Sequence, residues 1–161
     1  MLYNLAKPIA DKYVSLLAPH CDRIEIAGSV RRKKADVGDI EIVCIPSEIR
    51  GVRFPEFINF VNNLTKVRGE PTGKYTQRML PEGIAIDIFM CNAENWGTIF
   101  AMRTGSAKYS HYVLASTWVK MGYHSSGGLL YKDDEILSFR EELDLFNFLG
   151  LKYVDPEFRN L

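Results

Sequence analysis

The segment Asp39-Ile-Glu-Ile-Val-Cys-Ile45 constrains this chain more than any other stretch of its 161 residues. β-Branched residues dominate it, which predicts a strand. Side chains alternate faces along a strand, and residues i and i+2 stand about 6.5 Å apart on one face. Ile40, Ile42 and Cys44 therefore point into a core, while Asp39, Glu41 and Val43 share the opposite face. Two readings of these acids are open at this stage: the wet face of a surface strand, or a pair of metal ligands. Ile84 to Cys91 repeats the pattern, with Ile84, Ile86 and Ile88 on one face and Ala85, Asp87 and Phe89 on the other. If the two strands are neighbours, Asp39, Glu41 and Asp87 converge. Three crowded anions repel, so such a cluster is tenable mainly with bound cations, and its hard oxygen donors suit Mg²⁺ or Mn²⁺. Two such ions can clamp the attacking and leaving oxygens of a phosphoryl displacement.

The remaining patterns place these strands in a mixed α/β core reaching to about residue 92, followed by a smaller α+β subdomain. Helical spacing runs from Leu2 to Leu17 and from Phe54 to Val67, and Arg23 to Ala27 alternates as a short strand. Lys74 to Leu80 and Ile84 to Cys91 read as an antiparallel pair turning at Pro81-Glu82-Gly83. Beyond them, Trp96 to Arg103 and Lys108 to Met121 read as helices separated by Thr104-Gly105-Ser106. A hairpin tip falls at Lys132 to Glu135, and Ser138 to Glu141 has capping-box spacing for a last helix ending near Gly150.

Composition narrows the class of molecule. Lys plus Arg and Asp plus Glu number 20 each, so the formal net charge is zero and any nucleic-acid contact rests on local patches. Cys21, Cys44 and Cys91 lack CxxC-type spacing, which predicts free thiols in a reducing compartment. No apolar run approaches the ~18 residues of a membrane span. Pro8 and Asp11 stand where a signal peptide would be apolar. The expectation is a soluble, cytoplasmic monomer with no membrane partner.

Upstream of the acids, Gly28-Ser29 precedes Val30 to Lys34. Small residues let a phosphate approach backbone N–H groups, and Arg31 or Arg32 can hold its oxygens bidentately; Lys33 and Lys34 read as a solvated turn. His20, His111 and His124 show no ligand spacing, and Trp96, Phe100 and Met102 read as core. Lys74, Arg78, Lys108 and Lys120 either border a nucleic-acid groove or are ordinary surface cations. Tyr109 and Tyr112 either stack on a base or pack on their helix.

Taken in order, Gly28-Ser29-Val30-Arg31-Arg32, Gly38-Asp39-Ile40-Glu41 and Ile86-Asp87-Ile88 resemble the nucleotidyltransferase signature of the DNA polymerase X family, within the polymerase beta superfamily. Arg103-Thr104-Gly105-Ser106 and the ending Leu149 to Arg159 resemble two further family segments, so the likeness covers roughly residues 22 to 159. It implies an α+β architecture: a palm over residues 1–92, with a mixed or antiparallel sheet, and a thumb-like subdomain over 93–161. Nothing ahead of residue 1 is expected to supply the family's lyase or DNA-gripping domain. Asp39, Glu41 and Asp87 would ligate two Mg²⁺ or Mn²⁺ ions. Gly28, Ser29, Arg32 and Gly38 would serve the phosphates of a nucleoside triphosphate, and Thr104, Gly105 and Ser106 its sugar and base. The implied activity is addition of deoxynucleotides to the 3′-hydroxyl of gapped or primed DNA, releasing pyrophosphate, in repair. Transfer to an RNA, protein or small-molecule acceptor, or a degenerate binding module, are the alternatives. Three positions depart from the family pattern: Glu41 where aspartate is usual, Ala85 where arginine is frequent, and Met102-Arg103 where aromatics are common.

Overall fold

Ile40–Pro46 forms strand β2, with Ile40, Ile42 and Cys44 fully buried and Val43, on the face of Glu41, buried as well. In the computed structural model, which describes all 161 residues, the chain forms two units, Met1–Asn92 and Ala93–Leu161. The first contains helix α1 (Tyr3–Leu17), strand β1 (Cys21–Ala27), the short helix α2 (Gly28–Arg31) and β2. A two-residue pair follows, β3 (Glu48–Ile49) and β4 (Val52–Arg53), then helix α3 (Pro55–Asn62). Strands β5 (Thr65–Gly69), β6 (Tyr75–Met79) and β7 (Ala85–Met90) complete the unit. The sheet order is β1-β2-β7-β6-β5. Every pairing is antiparallel except β2 with β7, which is parallel.

One face of this sheet is the core. Ile40, Ile42, Ile86 and Ile88 meet Ala6, Ala10, Tyr13 and Leu17 of α1 and Phe57 and Val61 of α3. Each isoleucine buried this way contributes roughly 1.5–3 kcal/mol. The β6–β7 turn is fastened to α1: Glu82 accepts from Lys12 Nζ at 2.7 Å and from the Tyr13 hydroxyl at 2.9 Å. Gly83 adopts φ 81°, the left-handed conformation such a turn requires.

Two expectations for this unit change. The helical spacing from Phe54 ends at Asn62, and Thr65–Gly69 is an edge strand paired with β6. Thr65, Lys66, Arg68 and Gly69 find register partners on β6, with an irregularity at Val67. Arg78, a candidate for a nucleic-acid groove, is instead only 2% exposed. Its register partner is Ile86, so it points to the core face. There its guanidinium donates to Thr76 Oγ1 at 3.0 Å and to the Leu64 and Gly69 carbonyls at 3.4 Å, with Glu70 at 3.9 Å. The cysteines are free, as expected, but they gather at one end of the sheet. The Cys44 thiol is pushed up by its hydrogen bond with Cys21 and by burial, and Cys91 Sγ approaches the Cys44 carbonyl at 3.4 Å.

The second unit holds helix α4 (Trp96–Thr104), a helical run, a three-stranded sheet and a last helix. The run, expected as one helix, consists of α5 (Ala107–Tyr109), a π-type stretch Ser110–Ala115 and α6 (Ser116–Lys120). Ser116 and Thr117 turn their hydroxyls back on the carbonyls of Tyr112 and Val113, which accompanies the widened turn. Strands β8 (His124–Ser126), β9 (Leu129–Lys132) and β10 (Glu135–Leu137) pair antiparallel in the order β10-β9-β8. Helix α7 (Glu142–Phe148) starts later than the Ser138 capping pattern suggests. Phe139 is buried, and its backbone is taken by Gly97 N–H (2.8 Å) and the Glu94 carbonyl (3.1 Å), so Glu141 and Asp144 form the capping box. Tyr109 packs in the core of this unit, which removes it as a stacking face, whereas Tyr112 is 63% exposed. No helix of the chain is long and apolar enough to cross a membrane.

Ile42→Ala is expected to cost about 2–5 kcal/mol in urea unfolding. Leu5→Ala, at an exposed site on α1, should stay within about 0.5 kcal/mol of the parent. Equal effects at the two sites would contradict the assignment of the core face.

Candidate active site

The parallel register pairs Glu41 with Asp87 directly. Ala27 lies opposite Glu41 on the other side, and Gln77 opposite Asp87, so Ala27, Glu41, Asp87 and Gln77 form one row across four strands. This row occupies the face opposite the isoleucines. Asp39, immediately ahead of β2, shares a hydrogen bond with Asp87. Burial first, and the adjacent Asp87 carboxylate second, raise the Asp39 pKa above its ordinary value. Asp39 thus holds a proton more tightly than an isolated carboxyl does. Glu41 is directed elsewhere. Its carboxylate lies against Gly28, where any side chain would collide with it. It also acts on Arg32, whose pKa is lowered by burial and pushed back up by the Glu41 charge. The chain consequently has no group of three His, Cys, Asp or Glu side chains arranged to hold a metal ion.

The Gly28-Ser29 turn leads from β1 into α2. Gly28 takes φ 59°, so both its conformation and its contact with Glu41 demand glycine. Ser29 Oγ is buried without a hydrogen-bond partner. Leaving a buried hydroxyl unsatisfied costs roughly 1–3 kcal/mol, which marks it as a place for a ligand atom. Gly38 is exposed and faces open space, with nothing within 4 Å of where a Cβ would stand.

Tyr75 joins the site without having been a sequence candidate. Its hydroxyl donates to Asp87 Oδ1 at 2.5 Å, and burial followed by that bond raises its pKa. The signal was present only as a period: Tyr75 and Gln77 share the face that carries Asp87 on the neighbouring strand.

In the second unit, Thr104 is fully buried and Gly105 buried. A side chain at Gly105 would collide with the Tyr109 ring and Ser110 Oγ. Ser106 caps the following helical run: its Oγ accepts from Tyr109 N at 3.1 Å and Leu161 N at 3.3 Å. Its N–H donates to the Arg159 carbonyl at 2.9 Å. A cavity of about 320 Å³ lies beside this turn, lined by Thr98, Met102, Arg103, Ala107, Ser110 and His111 among others. Thr98 Oγ1 is buried without a partner. Asp39, Glu41, Asp87, Gly28, Ser29 and Arg32 thus belong to the first unit, and Thr104, Gly105 and Ser106 to the second.

No protein-family model matches the sequence, and no curated protein matches it. Among solved structures, Leishmania infantum polymerase beta in a ternary P/T complex is similar, with a TM-score of 0.71 over 99% of this chain and 75% of that one. The fold is polymerase beta-like. Sequence identity over the match is 19%, so the likeness lies in the arrangement of helices and strands.

The raised Asp39 pKa has a defined consequence for stability. The contribution of its proton is full below the ordinary value of 3.8 and is lost as pH rises through the higher folded-state value. Asp39→Asn should therefore be more stable than the parent at pH 7 in chelator-containing buffer, with the advantage shrinking as pH falls toward 3.8. Urea unfolding across that pH range checks this, and a gain that grows toward acid would contradict it.

Proposed function

We propose that this chain is a metal-dependent nucleotidyltransferase of the DNA polymerase X type, adding deoxynucleotides to a DNA 3′-hydroxyl in gap-filling repair. The observation that carries the reading is the pairing of Asp39 with Asp87, beside Glu41, on the strand face opposite the core. Two carboxyl groups close enough to share a proton form a donor set that fits a hard divalent cation in the proton's place. In this reading Asp39 and Asp87 would hold Mg²⁺ or Mn²⁺, and Glu41 would join them as third ligand of a two-ion set by turning its carboxylate away from Gly28 and Arg32. Such ions, when bound, would supply a lowered pKa at the acceptor hydroxyl and neutralisation of phosphate charge. Ser29, through its unpartnered hydroxyl, and Arg32 take the β- and γ-phosphate oxygens. Gly38 keeps the approach to them open, and Gly28 makes room for the Glu41 carboxylate beside the turn. Thr104, Gly105 and Ser106 are the second unit's candidates for the sugar and base, beside a cavity of about 320 Å³ in that unit. The acceptor 3′-hydroxyl would release its proton to solvent as its oxygen attacks the α-phosphorus, the bond to the β-phosphate oxygen breaks, and pyrophosphate leaves. Residues 1–92 act as the palm and 93–161 as the thumb-like part.

A second reading, nucleotide binding without transfer, draws on the direction of Glu41. Its carboxylate is engaged with Gly28 and Arg32 and stands outside the aspartate pair. Incubating the protein with Mg²⁺ or Mn²⁺, labelled deoxynucleotides and gapped DNA separates the two. Incorporation is expected, falling on the order of a thousandfold in Asp87→Ala. Nucleotide binding with no incorporation on DNA, RNA or protein acceptors selects the second reading. Label appearing only on non-DNA acceptors keeps the chemistry and discards the DNA substrate.

A further inference from the structure

Tyr75 is paired across β6 and β7 with Phe89, two residues beyond Asp87 on the same face. Its hydroxyl reaches back diagonally to Asp87 Oδ1. The ring is fixed by both neighbouring strands. Phe89 stacks on it with centroids 5.0 Å apart and planes 28° from parallel. From β5, the Arg68 guanidinium carbon stands 5.6 Å from the ring centroid. A cation on the edge strand, a phenol on the next and a carboxylate on the third therefore form one chain of contacts. The terminal torsion of an aspartate is soft, so an unsupported carboxylate sweeps a wide range of directions. Ala85, two residues before Asp87 on its own strand, carries nothing that can restrain it.

We propose that Tyr75 is a positioning residue for Asp87, holding Oδ1 so that Oδ2 keeps one direction toward a bound cation, with Arg68 orienting the phenol. This rests on the reading of Asp87 as a metal-binding carboxylate of a nucleotidyltransferase. Support for a ligating group from the shell behind it is commonly worth tenfold to a hundredfold in metal affinity. Asp39 approaches the same carboxyl group, so Tyr75 also decides how Asp87 meets the other aspartate.

Tyr75→Phe keeps the stacked ring and removes only the hydroxyl. Mn²⁺ binding without nucleotide or DNA, followed by electron paramagnetic resonance, should weaken by about tenfold or more. The maximal rate of nucleotide incorporation should fall in step, with the nucleotide KM unchanged. Arg68→Ala, on the exposed edge strand, should weaken Mn²⁺ binding several-fold, and Arg68→Lys should restore part of it. A folded Tyr75→Phe protein that binds Mn²⁺ as tightly as the parent overturns the proposal. Should that variant fail to fold, unchanged affinity in Arg68→Ala does so. Asp87→Asn separates the two levels. If it still incorporates nucleotides, the proposed function itself fails. If it is inactive while Tyr75→Phe matches the parent in affinity and rate, only the positioning role falls.

Discussion

The parallel pairing of β2 with β7 is the contact on which the first unit depends. Its register sets Ile40 against Ile86, Glu41 against Asp87 and Ile42 against Ile88. Apolar pairs thus bracket an acidic pair, and a slip of one residue would put the acids in the core and the isoleucines in water. All four isoleucines are fully buried. At roughly 1.5–3 kcal/mol each, they fix the register firmly enough to tolerate like charges on the opposite face. The repulsion that a neutral sheet would avoid is held in place by the oily side of the same strands.

Much of this was legible because period-two alternation is a local property. β2, β7, the turn through Gly83 and the β9–β10 hairpin all follow from residues adjacent in sequence. What sequence hid depends on partners distant along the chain. Thr65–Gly69 overlaps a helical spacing and becomes a strand only because β6 offers it an edge. Arg78 looks like a surface cation until its register partner is known to be Ile86. Tyr75 reaches Asp87 diagonally, a contact no spacing within one strand encodes. Among the acids, the face they share could be read from alternation. That Asp39 meets Asp87 while Glu41 turns to Gly28 and Arg32 could not, because it depends on side-chain torsions and on the β1–α2 turn.

Each unit also buries an arginine, and the two are satisfied differently. Arg159 pairs with Glu142 at 2.7 Å and lies 5.0 Å from the ring centroids of both Phe146 and Tyr153. Arg78 relies mostly on a hydroxyl and two carbonyls, its nearest carboxylate standing 3.9 Å away. A desolvated guanidinium with full charge compensation is the safer arrangement. Arg78 instead donates to the Thr76 hydroxyl and to two backbone carbonyls at the β5–β6 edge, tying that edge to the core face.

Asp87 is approached from two directions, by Asp39 through a shared hydrogen bond and by Tyr75 through its phenol. Free energies read from single substitutions at such a junction do not sum, because each removal changes what the remaining two groups experience. Removing Tyr75's hydroxyl leaves the Asp87 carboxylate with Asp39 as its neighbour. Neutralising Asp39 changes the charge that Asp87 and the phenol experience together. The three side chains form a single thermodynamic unit, and its properties belong to the set.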